Sequence, residues 1–246
     1  MDRIKLTIEY DGRNFSGYQS QPGKRTIQEE IEKALEKAYQ EKIVTFASGR
    51  TDKGVHAIGA VVHFDEPKKL KNPKTMEVLN ALLPEDVKIL KLERVGKDFD
   101  ARFSSKRKTY GYVFYLSKFE RPLKVGRALR VDDRVDVQLM KEGAKYIVGE
   151  HDFSSFVARK SGKTNFVRTV YDAKLEQIGE NEFMFKITGN GFLYNMVRII
   201  MGTLINVGLK KIKPEEVKQI IEAKDRTKAG KTVSASGLYL LCVDYE

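Results

Sequence analysis

Apolar residues at every second position predict that the chain starts with a strand. They recur from Ile4 to Tyr10 and alternate with polar residues, which is the period of a half-buried β-strand. Asp11 and Gly12 follow and predict a turn. Further apolar clusters bounded by turn residues predict strands over residues 44–47, 60–64, 109–116, 167–175, 182–188 and 237–245.

Apolar residues spaced three or four apart predict helices. Ile27 and Ile31 begin one such face after Thr26, and the face continues to Ala38. Thr26 and Glu29 fit a capping box, in which both side chains would satisfy free backbone donors. Pro214 should open a late helix. Other apolar faces predict helices over residues 76–83, 137–148 and 193–204.

The order of these elements indicates the fold class. A strand, a helix and two strands are followed by a similar series, with strands and helices mixed throughout. Such mixing favours an α+β fold of two pseudo-symmetric α/β halves with mainly antiparallel sheets. The polar and basic stretch 104–108 predicts a boundary between an N-terminal half over residues 1–105 and a C-terminal half over residues 106–246.

Composition narrows the class of partner. The chain has 246 residues, 41% of them hydrophobic, and a formal net charge of +11. This is a globular composition, and the positive surplus favours polyanions such as nucleic acid, although a lysine-rich surface of a heat-adapted protein would give the same charge. The single cysteine, Cys242, excludes an internal disulfide and a thiolate zinc site, and is compatible with the cytoplasm.

Targeting and membrane segments are not expected. The charged, alternating N-terminus does not fit a signal peptide. The apolar run 191–208 is at the short limit for a membrane span and contains Arg198, so it is better interpreted as a buried helix. The spacing of His56, His63 and His151 matches no metal site.

Residues 49–57 carry the strongest chemical signal. Two glycines flank Arg50, Thr51, Asp52 and Lys53 in a loop longer than a hairpin needs, and loops on rigid scaffolds often carry function. Asp52 also fits the commoner role of a turn residue beside glycine.

Arg198 is the only charged residue of the run 191–208. If its guanidinium is buried, it needs an acidic partner from elsewhere in the chain, because an unpaired buried charge is costly. The alternative is that the stem packs on the core and the head reaches water.

Cations stand directly before the aromatic strand that contains Tyr110. Such cations could hold phosphates while a tyrosine face stacks on a base, but an edge strand with solvated lysines would look similar. The first group of cations includes Arg102, Lys106 and Arg107, and a second basic loop, residues 159–164, contains Lys160 and Lys163.

Together these motifs resemble those of the tRNA pseudouridine synthase A family. The most specific is Gly49-Arg50-Thr51-Asp52 with Gly54-Val55-His56-Ala57; the others are residues 9–12, 15–19, 101–104, 151–156, 191–198 and 237–240, in the family's order. Lys53 and Tyr18 depart from residues common in the family. The resemblance implies two α/β halves around a central RNA-binding cleft, a homodimer, and neither a metal nor an organic cofactor. It also implies isomerisation of uridine at positions thirty-eight to forty of the tRNA anticodon stem-loop.

The resemblance also implies roles for single residues. Asp52 would be the catalytic carboxylate, either as a nucleophile at C1′ or as a base at C2′, and our hypothesis is that it pairs with Arg198. Tyr110 would stack on the target uracil and could help move a proton. Our own hypothesis for Arg50, a planar cation next to Asp52, is that it fills the space left by the flipped base. The other substrate-binding candidates are Phe99, Arg102, Phe103, Lys106, Arg107, Lys160 and Lys163.

Two other functions fit part of the sequence. A non-catalytic RNA-binding module would explain the charge and the tyrosines, but it would leave Asp52 and Arg198 without a role. A nuclease or glycosidase usually needs paired carboxylates or a metal cluster, and the sequence offers one suitable acid.

Overall fold

The computed structural model describes residues 2–67, 75–158 and 165–246. The chain divides into two compact units, one formed by Met1–Lys106 with Leu240–Glu246 and the other by Arg107–Tyr239. Both units combine helices with mainly antiparallel strands, which confirms the predicted α+β class. The assignment of functional halves to residues 1–105 and 106–246 stays a prediction.

The first unit is a sheet with two helices among its described residues. Its strand order is β4–β1–β3–β10, and β2 also pairs with β3. The alternating residues Ile4, Leu6 and Ile8 are at most 1% exposed, so the predicted face of β1 is the covered one. The elements are β1 (Asp2–Tyr10), α1 (Ile27–Tyr39), β2 (Phe46–Ala47), β3 (His56–Glu66), α2 (Thr75–Leu82), β4 (Val87–Val95) and β10 (Leu238–Asp244).

The end of the chain belongs to this first unit because β10 pairs with β3. The two backbones approach closely at Gly59, where an added Cβ would lie 2.5 Å from the carbonyl oxygen of Leu241. The sequence pattern had grouped this last strand with the C-terminal half, since pairing between distant strands has no local signal.

The second unit has the strand order β5–β9–β8–β7, with β6 parallel to β5. Helix α4 is buried along most of its length, and α3 packs against both α4 and β8. The elements are β5 (Arg107–Leu116), β6 (Leu129–Val131), α3 (Val137–Lys145), β7 (Gly149–Asp152), β8 (Val167–Gly179), β9 (Glu182–Gly189), α4 (Met196–Gly208) and α5 (Glu216–Ala223). In the described ranges, no helix has the length and hydropathy needed to cross a membrane.

Several element boundaries differ from the sequence expectation. Strand β3 begins at His56 because its pairing with β1 extends to Ala57, so the loop that carries Asp52 is shorter than expected. Helix α5 begins at Glu216 rather than at Pro214. The strands β4, β6 and β7 were not predicted.

The predicted capping box at α1 is wrong. Thr26 is the N-cap residue, but its buried Oγ1 has no hydrogen-bond partner in the described part of the chain, and Glu29 instead pairs with Lys33 at 2.9 Å. Two amides of the first turn instead donate to backbone carbonyls: Ile27 N donates to Gly17 O, and Gln28 N donates to Tyr18 O. Residues 17–18 therefore take over the capping role.

Candidate active site

Asp52 lies in a short loop, residues 48–55, that joins β2 to β3. Its side chain is half-buried, so part of the carboxylate surface stays open. The loop closes with a turn in which Val55 N donates to Asp52 O at 3.1 Å and Gly54 has a φ of 80°. A positive φ at the third position of such a turn favours glycine. Gly54 thus allows Asp52 to sit at the first position of a tight turn.

A second segment, residues 11–18, supports the back of this loop through direct backbone contacts. A Cβ added to Gly12 would lie 2.0 Å from Val55 O, and one added to Gly17, whose φ is +104°, would lie 3.0 Å from Thr51 O. Glycine permits such close approach of two backbones. We call residues 11–18 the supporting segment.

The residues on either side of Asp52 are also held by side-chain contacts. Tyr10 Oη lies 2.7 Å from Thr51 Oγ1, and both residues are buried. On the other side, Gly12 N donates to His56 Nδ1 at 3.2 Å. The same His56 Nδ1 lies 3.3 Å from Asp11 Oδ1, so the ring contacts both the backbone and the first carboxylate of the supporting segment.

Asp11 is the first residue of the supporting segment, and its carboxylate caps the turn that follows. Its carboxylate accepts hydrogen bonds from the backbone and the guanidinium of Arg13. Burial raises the pKa of Asp11, but these hydrogen bonds outweigh burial and lower the pKa to about 2. Asp11 is therefore ionised at neutral pH and holds the short 3₁₀ turn at Gly12–Asn14.

Arg198 is half-buried in α4 of the second unit, and neutral acceptors orient it. Its Nε donates to Val233 O at 2.8 Å, and its Nη1 donates to Asn195 Oδ1 at 2.7 Å. The segment that contains Val233 packs closely against α4 at Gly202, where an added Cβ would lie 2.0 Å from Lys231 O. The guanidinium is thus held in one direction. Its pairing with Asp52 stays a prediction.

Tyr110 is half-buried on β5. Its ring packs edge-to-face against Phe192, with ring centroids 5.2 Å apart, which is a favourable aromatic geometry. The backbone pairs with Ile187 of β9. The ring position is therefore well defined, while its role beside a uracil stays a prediction.

Four of the predicted substrate-binding cations are exposed. None of them forms an ion pair with an acid in the ranges that the structure describes. Two lie over aromatic rings, Arg102 over Phe103 at 5.4 Å and Arg107 over Tyr171 at 5.0 Å. Cations in this state are available to phosphates. They are Arg50, Arg102, Lys106 and Arg107; the candidates Lys160 and Lys163 lie outside the described residues.

Phe99 and Phe103 lie in one loop but differ in exposure. The ring of Phe99 is half-buried and packs against Tyr245 at 4.9 Å. Phe103 is 80% exposed. The described residues contain no group of three or more His, Cys, Asp or Glu side chains that could hold a metal ion.

Sequence reasoning missed the residues that support the site rather than form it. Tyr10 was placed in a strand and in the motif of residues 9–12 without a role of its own, and His63 was set aside as an ordinary histidine. The pair Gly12 and Gly17 carries a local signal, since two glycines follow closely after a strand, but their partner in space is not visible in the sequence.

Comparisons with known proteins cover both units. The profile of the family described as tRNA pseudouridine synthase matches residues 6–104 and 144–246. The tRNA pseudouridine synthase A of Bacillus subtilis (strain 168) is 47% identical over 246 residues, and the match covers 99% of this chain and 99% of that protein. The protein of the same name from Anoxybacillus flavithermus (strain DSM 21510 / WK1) is 46% identical over 247 residues and is matched over 100% of both chains.

Similarity to solved structures is weak. A chain in the crystal structure of a Cbf5–Nop10–Gar1 complex is 13% identical, with a TM-score of 0.34, and the match covers 82% of this chain and 54% of that chain. A chain in the structure of an H/ACA RNP bound to a substrate RNA containing 2′-deoxyuridine is 16% identical, with a TM-score of 0.33, and the match covers 82% and 53%.

The close approach of the supporting segment predicts the effect of Gly12→Ala. The new Cβ would lie 2.0 Å from Val55 O, so one backbone must shift, and we expect the free energy of unfolding to fall by about 1–3 kcal/mol, as in overpacked cores. Urea denaturation measures this change. Gly179→Ala is the control, because its Cβ would come no closer than 3.5 Å to Glu182. Equal stability of both variants would show that the supporting segment does not constrain the loop.

Proposed function

The chain belongs to the tRNA pseudouridine synthase family, and from this premise we propose that it converts uridine to pseudouridine at positions thirty-eight to forty of the tRNA anticodon stem-loop. As a member of this family it is an isomerase that acts on uridine in tRNA. The observation that carries the proposal is the half-buried carboxylate of Asp52, presented by a glycine-supported turn. The choice of tRNA positions is supported by the resemblance of the motifs alone.

The reaction defines what the site must supply. The N–C glycosidic bond breaks, the base turns, and a C–C bond forms between C1′ of the sugar and C5 of the uracil, so that no atom is gained or lost overall apart from the exchange of a proton. A carboxylate beside the sugar can attack C1′ or remove the proton from C2′. We assign this role to Asp52.

Arg198 is the second part of the proposal. Its guanidinium is already oriented by Val233 and Asn195, and a cation near a carboxylate favours the ionised form of the acid. Pairing with Asp52 would keep the carboxylate charged in a site closed by substrate. Family membership favours this catalytic arrangement over the RNA-binding module and the hydrolase.

We further propose that the enzyme acts in the cytoplasm as a homodimer, with the tRNA anticodon stem-loop as its partner. The single cysteine is compatible with a reducing compartment, and the resemblance supports the dimer. The exposed cations that lack an acidic partner in the described part of the chain would hold RNA phosphates.

Asp52→Asn should abolish turnover, because the amide can neither attack C1′ nor accept a proton. We expect the rate to fall by at least roughly 10²–10⁴-fold, the range for a group that acts on the reacting atoms. Tritium release from a tRNA transcript labelled at uracil C5 measures the rate, since C5 loses its hydrogen on forming the new bond. The exposed Asp133→Asn is the control, and normal turnover of Asp52→Asn refutes the assignment.

A double-mutant cycle that combines Asp52→Asn with a substitution of Arg198 tests the pairing of the two residues. If the two charges interact, the unfolding free energies of Asp52→Asn, Arg198→Met and the double variant will be non-additive by roughly 0.5–3 kcal/mol. Additive effects would contradict the pairing without affecting the catalytic role of Asp52.

Tyr110→Phe separates stacking from proton transfer. The phenylalanine ring keeps the stacking face and the contact with Phe192, so KM should stay close to that of the wild type. If the hydroxyl moves a proton, kcat should fall on the order of 10²-fold or more. Tyr146→Phe, at the exposed end of α3, is the control. An unchanged kcat would leave Tyr110 with stacking alone.

Arg50→Ala should impair base flipping, because a planar guanidinium that fills the vacated stack offsets the cost of extruding the base. A tRNA transcript with 2-aminopurine next to the target uridine reports unstacking as a rise in fluorescence. We expect this rise to be several-fold smaller than with the wild type. Lys53→Ala removes a nearby exposed cation of the same loop and serves as the control. A full fluorescence rise with Arg50→Ala would contradict the role.

A further inference from the structure

The loop of residues 98–104, between β4 and β5, presents an aromatic ring and a cation together. Phe103 is 80% exposed, and the guanidinium of Arg102 lies over its ring at 5.4 Å. Arg102 has no acidic partner in the portion of the chain that the structure describes. An exposed ring beside a free cation is the pair that single-stranded RNA binders use to stack a base and hold a phosphate.

The turn that aims these two side chains is closed by Asp100. Its Oδ1 accepts hydrogen bonds from Arg102 N and Phe103 N, both at 2.8 Å. Ser104 completes the turn, because its Oγ accepts from Asp100 N and its own amide donates to Asp100 O. Burial raises the pKa of Asp100, but the two backbone hydrogen bonds lower it below its ordinary value, so the acceptor is ionised at neutral pH.

The same turn is anchored to the sheet through Ala101, which is fully buried. Its amide donates to His63 Nδ1 at 3.1 Å, and its carbonyl accepts from Tyr245 Oη at 2.8 Å. Two residues earlier, Phe99 O accepts from Arg3 Nη1 at 2.7 Å. The side chains of Arg3 in β1, His63 in β3 and Tyr245 just after β10 thus hold the loop backbone.

The hydrogen bond from Ala101 to His63 depends on the protonation state of the His63 ring. It is 3% exposed and is stacked on Phe46 at 5.2 Å, while Phe99 approaches it edge-on at 6.0 Å. Burial and the nearby charge of Arg3 lower its pKa, so the ring is neutral at neutral pH. Only the neutral ring has a nitrogen lone pair that can accept from Ala101 N.

We propose that residues 98–104 are a preformed nucleotide-binding loop in which Phe103 stacks on an unpaired tRNA base and Arg102 holds an adjacent phosphate. His63 is the positioning residue that keeps the loop in its binding conformation through the amide of Ala101. The proposal rests on the RNA substrate of the proposed function, and it adds the class of contact, an unpaired base, and the residue that prepares the loop. A loop that is already ordered avoids the entropy cost of ordering on binding.

Stacking and phosphate contacts respond differently to salt, which separates the two side chains. Filter binding of an unmodified tRNA transcript over a salt series measures both. Phe103→Ala should weaken binding on the order of 5- to 100-fold at every salt concentration, as for the loss of one stacked base, and Phe103→Tyr should restore affinity. Arg102→Ala should lower the slope of log affinity against log salt by about one. Phe119→Ala, 73% exposed in the other unit, is the control.

Wild-type affinity of Phe103→Ala, or equal loss with Phe103→Tyr, would overturn the stacking site. The binding measurement needs no turnover. A failure of tritium release by the wild-type enzyme would therefore refute the proposed function while leaving these binding results to decide the loop.

Two substitutions of His63 separate positioning from simple packing. His63→Phe keeps an aromatic ring between Phe46 and Phe99 but has no acceptor, whereas the side-chain oxygen of His63→Asn can accept from Ala101 N. We expect His63→Phe to speed hydrogen exchange of the Ala101 amide and to raise KM for tRNA several-fold with little change in kcat. His63→Asn should recover much of both effects.

The result that would overturn the positioning role is equally direct. If His63→Phe leaves the exchange of the Ala101 amide and KM unchanged, or if His63→Asn is no better than His63→Phe in both measurements, the histidine serves the core alone. Thermal unfolding of both variants measures any general loss of stability. Such a loss alone would not make His63→Asn, which has an acceptor, differ from His63→Phe, which has none, in amide exchange and KM.

Discussion

The first unit depends on the close backbone contact between the supporting segment and the loop of Asp52. With no side chain at Gly12 or Gly17, the carbonyls of Val55 and Thr51 come within direct reach of the neighbouring backbone. The same segment supplies the carbonyls that cap α1. One stretch of eight residues therefore connects the first strand, the first helix and the candidate catalytic loop.

The positively charged residues behind the net charge of +11 fall into two groups, those in ion pairs and those without an acidic partner in the described ranges. Part of the positive charge is used internally, in ion pairs that join strands or cap loops. Another part is exposed and has no acidic partner in the described ranges, which suits a polyanionic substrate. The paired arginines include Arg3, Arg25 and Arg94, and the unpaired cations include Arg50, Arg102, Lys106 and Arg107.

Local patterns predicted an element well where its own residues determine its burial. Alternation placed β1, and apolar spacing placed the buried face of α1. The polar strand β7 and the three-residue β6 carry no such pattern, because they exist by pairing with β8 and β5. The capping box failed for a related reason: carbonyls of residues 17–18 reached the free amides of α1 instead of the local side chains.

The sequence by itself determined the residue types that can carry chemistry, the α+β class and the family, because these are properties of composition, period and motif. The tertiary structure alone decided which backbone each glycine approaches, and that His63 accepts from the amide of Ala101. These contacts join residues far apart in the chain. They depend on strand register, such as the pairing of Tyr10 with Ala57, and register is a result of packing the whole sheet rather than of any local pattern.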